Sequence, residues 1–251
     1  MIRRVGAACA VSLLPVVASC SGSGPVELAS DTATRTLFQV CSDGGLDGWT
    51  RVPGAPGNAV AKGKGPVVVL ANDLTNTVCG WIPMVSRLVE RGYRVVIFQY
   101  ADTTPEGEGR SVARTLAVAE ASAGRAPYVM VGASFGGRIV IEAAAQHPEG
   151  LQAIVSVSGE VEENAYHDIL GDARAVTTPA LYVGARNDTF TDGTRQQEIL
   201  HRAMHGSPNE ILQVPGGANG VGLLDPRSSG GGVALGRVVD FVSRQLPSAH
   251  G

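Results

Sequence analysis

The sequence predicts an α/β fold, a mostly parallel sheet covered by helices on both faces. Short runs such as Val67-Val68-Val69-Leu70, Val95-Val96-Ile97-Phe98 and Leu151-Gln152-Ala153-Ile154-Val155-Ser156-Val157 are apolar at consecutive positions. Strands of that composition are buried on both faces rather than alternating. Between them lie segments whose apolar residues recur at helical spacing, and regular alternation of the two patterns indicates βαβ units. Internal repeats are absent, and 251 residues suffice for one domain of this class with a well-buried core.

At the amino terminus, Arg3 and Arg4 precede an apolar stretch from Val5 to Val17, which ends in Val17-Ala18-Ser19-Cys20. A positive start, a short apolar core and small residues before a cut make a secretory signal, too short for a comfortable membrane-spanning helix. The last four residues resemble a bacterial lipobox. That resemblance implies a diacylated Cys20 at the start of the mature protein, which would sit on the outer face of the bacterial cell membrane; an ordinary cleaved signal is the alternative. Residues 1–19 are thus read as leader and 20–33 as tether, with Ser21-Gly22-Ser23-Gly24-Pro25 suited to a flexible link. Residues 34–251 form the domain.

Thr36–Val40 and Leu46–Val52, joined by Ser42-Asp43-Gly44-Gly45, read as an opening antiparallel hairpin. The strand at Val67–Leu70 follows, then a helix with Trp81, Met84, Val85 and Leu88 on one face. Next come the strand Val95–Phe98 and a helix bearing Val112, Leu116 and Ala119. Ala126–Val131 is a strand, and Gly136–Ala145 the helix after it. The strands Leu151–Val157, Pro179–Gly184 and Glu210–Val214 complete the sheet, and a last helix carries Val238, Val239, Phe241 and Val242. The stretch between Val157 and Ala180 is too short for a cap domain, so the carboxyl edge of the sheet should be open and shallow. Ligands of such sheets bind at that edge.

The most specific local signal is Gly132-Ala133-Ser134-Phe135-Gly136, between a predicted strand and a predicted helix. That context makes Ser134 the nucleophile of a strained strand-turn-helix elbow, whose crowded turn requires small neighbours. The partners should follow in the order serine, acid, histidine. Asp188 lies just past the strand ending at Gly184 and is the expected acid; Glu160, after Val157, is the alternative. The loop after Val214 reads Pro215-Gly216-Gly217-Ala218-Asn219-Gly220, with Asn219 where a histidine belongs. The oxyanion hole would use the backbone N–H of Phe135 and one from the loop after Leu70, at Asn72 or Asp73.

These motifs resemble the α/β-hydrolase family, in particular its small capless branch of dienelactone-hydrolase-like and esterase-like proteins. The resemblance covers residues 34 to 246. It implies an α/β-hydrolase fold and hydrolysis of a small carboxylic ester or related acyl bond, without identifying the substrate. In such proteins the last strand often leads into Pro-Gly-x-x-His-Gly. An amide at Asn219 cannot take the serine proton. Of the five histidines, His147 should point away from the site, His201 and His205 should face solvent, and His250 lies in the tail. His167 is the one that could overhang the carboxyl edge as a substitute base. Two readings follow: a membrane-tethered serine hydrolase, or a non-catalytic lipoprotein that keeps the pocket for a ligand or partner.

The formal net charge of −3, with no basic cluster, argues against nucleic acid as a partner. No cysteine–histidine spacing points to a metal, and no cofactor is implied. With Cys9 removed and Cys20 lipidated, Cys41 and Cys79 remain in an oxidising compartment, where a disulfide or two separate buried thiols would account for them. The anchor is testable on the whole exported chain. Wild type should sediment with membranes, and Cys20→Ser should move it to the soluble fraction, because stable attachment needs more than one acyl chain. A wild-type protein recovered wholly soluble would refute lipidation.

Overall fold

The computed structural model describes residues 48–74, 78–100, 102–161, 168–190, 192, 194–204 and 208–247. The leader, the tether, Cys20, Cys41, His167, His205 and His250 lie outside them. Eight strands form one sheet: β1 (Trp49–Arg51), β2 (Val60–Lys62), β3 (Val67–Ala71), β4 (Arg94–Ile97), β5 (Tyr128–Ala133), β6 (Leu151–Val157), β7 (Ala180–Ala185) and β8 (Asn209–Val214). Their spatial order is β1-β2-β4-β3-β5-β6-β7-β8. From β4 to β8 all neighbours are parallel, while β1–β2 and β2–β4 pair antiparallel.

Among the described residues, the antiparallel partner of β1 follows it in the chain: Trp49–Arg51 pairs with Val60–Lys62. The arm expected at Thr36–Val40 is outside the described residues. Val60–Lys62 escapes sequence reading because it is three residues long and follows a turn-rich stretch, Pro53-Gly54-Ala55-Pro56-Gly57.

Among the described residues six helices cover the sheet: α1 (Ile82–Glu90), α2 (Glu108–Ala123), α3 (Phe135–Ala145), α4 (Ile169–Ala175), α5 (Thr194–Ala203) and α6 (Gly231–Gln245). Alternate strand residues feed two cores. On one face Val68, Leu70, Val129, Val131, Val155 and Val183 pack with Trp81, Met84 and Leu88 of the α1 region and Val238, Phe241 and Val242 of α6. On the other, Val67, Val69, Met130, Ile154 and Tyr182 pack with Val112 of α2, Ile139 and Val140 of α3, Ile169 of α4 and Leu200 of α5. Burial on both faces is why these strands read as unbroken apolar runs. The short α4 is capped by Asp168, whose side chain accepts from Gly171 N at 2.8 Å. The strands flanking β3 mark the point where the winding reverses, and the crevice there, between β3 and β5, opens at the carboxyl edge.

Cys79 is disulfide-bonded, and so is not a separate thiol. It begins a one-turn 3-10 helix, Cys79–Trp81, that leads into α1. A side chain on Gly80 would overlap Val221, so this turn packs directly against the loop that follows β8.

Behind the elbow lies a buried charge cluster. Arg138 of α3 grips Glu108 of α2 in a forked pair, Nε to Oε1 at 2.8 Å and Nη2 to Oε2 at 3.3 Å. One turn along α3, Glu142 is pushed up to about 9 by burial, then by the hydrogen bond and charge of Glu108, with Arg138 opposing. The folded state therefore keeps a proton that the unfolded chain releases above its ordinary glutamate range. Bound protons are then more numerous in the folded state, so stability is highest in mild acid and falls as pH rises towards 9. Thermal melts across that interval should show the decline, and Glu142→Gln should flatten it; an unchanged slope would contradict the assignment.

Candidate active site

Ser134 ends β5 with φ 52° and ψ −117°, and α3 begins at the next residue. A β-branched or ordinary side chain rarely tolerates such a backbone, which costs of order 1–3 kcal/mol and persists only where the surroundings impose it. Here they do. Ser134 N–H donates to Val157 O at 2.8 Å, and Ser134 O accepts from Gly137 N at 2.8 Å. Gly132 and Gly136 have no room for a β-carbon: one on Gly132 would overlap the Gly136 carbonyl, and one on Gly136 the Ala71 carbonyl. The turn is thus pressed against the end of β3. Ser134 itself is 7 % exposed.

Asp188 and Asn219 meet at the ends of β7 and β8. Asp188 is 4 % exposed. Its Oδ1 accepts from Phe190 N at 2.9 Å and its Oδ2 from Asn219 Nδ2 at 2.8 Å. The loops that carry them are tied together by Arg186 N to Val214 O and Asn187 N to Gly216 O, both at 2.9 Å. Asn219 thus donates to Asp188 from the loop position at which the sequence reading expects a histidine. The amide reproduces half of what a histidine does there: it satisfies the carboxylate and turns its own oxygen away from Asp188. It offers no basic nitrogen.

The loop after β3 is held by a buried network. Asn72 Oδ1 accepts from Trp81 Nε1 at 2.8 Å, Asn72 Nδ2 donates to Phe98 O, and Tyr100 Oη donates to Asn72 O at 3.0 Å. The Tyr100 ring meets Phe135 edge-on, centroids 5.3 Å apart at 89°. Burial, and secondarily the charge of Asp73, hold the Tyr100 phenol well above its usual range, so it remains a donor. Sequence reasoning missed Tyr100; an isolated tyrosine after a strand carries no motif, and only the fold brings it to the elbow. Phe135 and the Asn72–Asp73 segment follow directly on β5 and β3, which are paired up to Ala71 and Gly132.

The positions of the other expected residues are as follows. His147 lies beyond the far end of α3, about 16 Å of helix from the elbow. His201 is half-buried, its ring edge-on to Tyr182 at 6.5 Å, instead of facing solvent. Tyr182 sits mid-strand on the α5 face, away from the carboxyl edge. Glu160 is half-buried just past β6, in a segment pinned by Val161 N to Gln196 Oε1 and Gln197 Nε2 to Gly159 O, both at 2.7 Å. Among the described residues no group of three or more His, Cys, Asp or Glu could hold a metal ion.

Comparison with known proteins agrees with this geometry. The α/β hydrolase fold family matches residues 53–212, and the chain belongs to that family. Solved structures similar to it include the monoacylglycerol lipase of Paleococcus ferrophilus, 14 % identical with a TM-score of 0.62, covering 74 % of this chain and 98 % of that one. The dienelactone hydrolase of Anabaena variabilis is 17 % identical, TM-score 0.58, over 74 % and 89 %. Est1E of Butyrivibrio proteoclasticus, solved with ferulic acid bound, is 14 % identical, TM-score 0.60, over 74 % and 94 %. Among curated proteins, none matches this chain.

The Asn219–Asp188 contact has a measurable consequence. Asn219→Ala removes a partner from a buried carboxylate and should cost about 1–3 kcal/mol, read as a lower urea midpoint at unchanged slope. Asn219→Asp, which sets a second carboxylate against Asp188, should cost more. Wild-type stability in both variants would mean that the hydrogen bond does not bear on the fold.

Proposed function

We propose that the protein is a lipid-anchored serine hydrolase of small carboxylic esters or related acyl bonds. Ser134 is the nucleophile, Asp188 the acid of the original triad, and Asn219 stands at the base position. The observation that carries this reading is the backbone at Ser134, φ 52° and ψ −117°, a conformation with a stability cost that a simple binding site has no need of. On this reading the Ser134 hydroxyl attacks at the carboxyl edge of β3 and β5, with Phe135 N–H and one N–H from the loop at Asn72 and Asp73 as oxyanion donors. Neighbours of this fold named for dienelactones and monoacylglycerols, and one holding ferulic acid, are consistent with an acyl substrate. The Cys20 anchor would hold the domain at the outer membrane surface.

A second reading rests on one observation, the 2.8 Å bond from Asn219 to Asp188, which closes the acid off in a triad without a base. On that reading the chain binds an ester-like ligand or a partner without turning it over. A fluorophosphonate probe and a p-nitrophenyl ester separate the two. Slow turnover and labelling that vanish in Ser134→Ala support the hydrolase; a wild type inert to both supports the binding protein. Asn219→His, which restores an imidazole beside Asp188, should raise esterolysis by about 10²-fold, or roughly 2.7 kcal/mol of barrier. That gain must also depend on Ser134.

A further inference from the structure

The turn Asn219-Gly220 lies over the nucleophile, and Gly220 reports what surrounds it. Gly220 has φ +54°, and a β-carbon built on it would lie 3.3 Å from Ser134 Cβ and 3.9 Å from Asp73 Cβ. Ser134 and Asp73 thus converge on one point from β5 and β3. Their β-carbons therefore lie no more than about 7 Å apart, close to what a carboxylate and a hydroxymethyl group span with a hydrogen bond between them. The acid of the original triad is otherwise occupied, each of its oxygens accepting from Phe190 N or Asn219 Nδ2. The Asp73 charge is felt at Tyr100, whose hydroxyl bonds the Asn72 carbonyl and whose ring rests on Phe135. The Asp73 carboxylate thus lies within electrostatic range of the phenol that rests on the elbow.

We propose that Asp73 is the general base for Ser134, supplying from β3 the proton acceptor that the loop after β8 no longer provides. This rests on the serine-hydrolase reading above. As Ser134 Oγ bonds to the acyl carbon, the Oγ–H bond breaks and its proton passes to a carboxylate oxygen of Asp73, while the carbonyl π pair moves onto oxygen. The negative charge moves from Asp73 to the oxyanion, so two adjacent anions never coexist. When the ester C–O bond breaks, neutral Asp73 returns the proton to the leaving alkoxide, giving alcohol and acyl-Ser134. The regenerated carboxylate then takes a proton from the water whose oxygen bonds to the acyl carbon, and returns that proton to Ser134 Oγ as the C–Oγ bond breaks and the acid leaves. A carboxylate is a weaker base than imidazole for this task, so turnover is slow. Tyr100 is a positioning residue: it fixes the Asn72 carbonyl and hence the loop that aims Asp73.

The test uses the full chain, p-nitrophenyl acetate and a fluorophosphonate probe. Asp73→Asn should lower both turnover and labelling by about 10²-fold or more. Asp73→Ala should regain part of the loss in added sodium formate. The double variant Asp73→Asn/Asn219→His should recover activity, since an imidazole relieves Asp73, and that recovery also shows that the substitution folds. If Asp73→Asn turns over within a few-fold of wild type while Ser134→Ala is dead, the hydrolase stands and Asp73 is not its base. Loss that neither formate nor Asn219→His restores makes Asp73 structural and overturns the proposal. A wild type inert to both reagents sinks the hydrolase reading itself, and the proposal with it.

Discussion

The backbone at Ser134 is held out of its preferred conformation by neighbours on three sides, and the rest of the site is arranged around that turn. Val157 anchors it from β6, the Ala71 carbonyl presses on it from β3, and α3 departs from it buried from Phe135 to Ala144. A local cost of this size survives only inside a sheet whose strands cannot slide. The parallel ladder β3–β5–β6–β7 supplies that rigidity, since each strand is buried on both faces and a one-residue slip would reverse its packing.

The helix that leaves the elbow is fixed by charge as well as by packing. Arg138 sits in its first turn and reaches Glu108 of α2 with both members almost fully buried. A pair of this kind adds little net stability compared with apolar residues of similar volume, but breaking it leaves a buried charge uncompensated. Its forked geometry specifies how α2 and α3 pack, and the protonated Glu142 beside it keeps the cluster from carrying two full anions against one cation. The elbow is therefore braced from behind by electrostatics and from the front by hydrogen bonds.

Much of this architecture was legible in the chain because burial on both faces leaves long apolar runs. Val67–Leu70, Leu151–Val157 and the apolar stripe of α6 were visible for that reason. Asp188 could be placed because its strand ends cleanly at Ala185, and Asn219 because Pro215-Gly216 marks the turn before it. What escaped was short or non-local. β2 has three residues and α4 seven, too few for either period to declare itself. Tyr100, Asp73 and Gly220 come together from three separate loops. Nothing in their spacing announces that meeting: the strand order β4-β3-β5 sets the loops of Tyr100 and Asp73 side by side, and the loop after β8 folds back to bring Gly220 against Ser134 and Asp73.

The bond between Asn219 and Asp188 also bears on how readily this site can change in evolution. Asparagine and histidine codons differ at one base, and on the proposed hydrolase reading the amide makes the contact to Asp188 that an imidazole would make. A lineage carrying this chain therefore stands one nucleotide from a residue that can accept a proton, on a scaffold that keeps the receiving carboxylate in place. Gain and loss of a strong base at this loop are then neighbouring states, separated by a codon rather than by a fold.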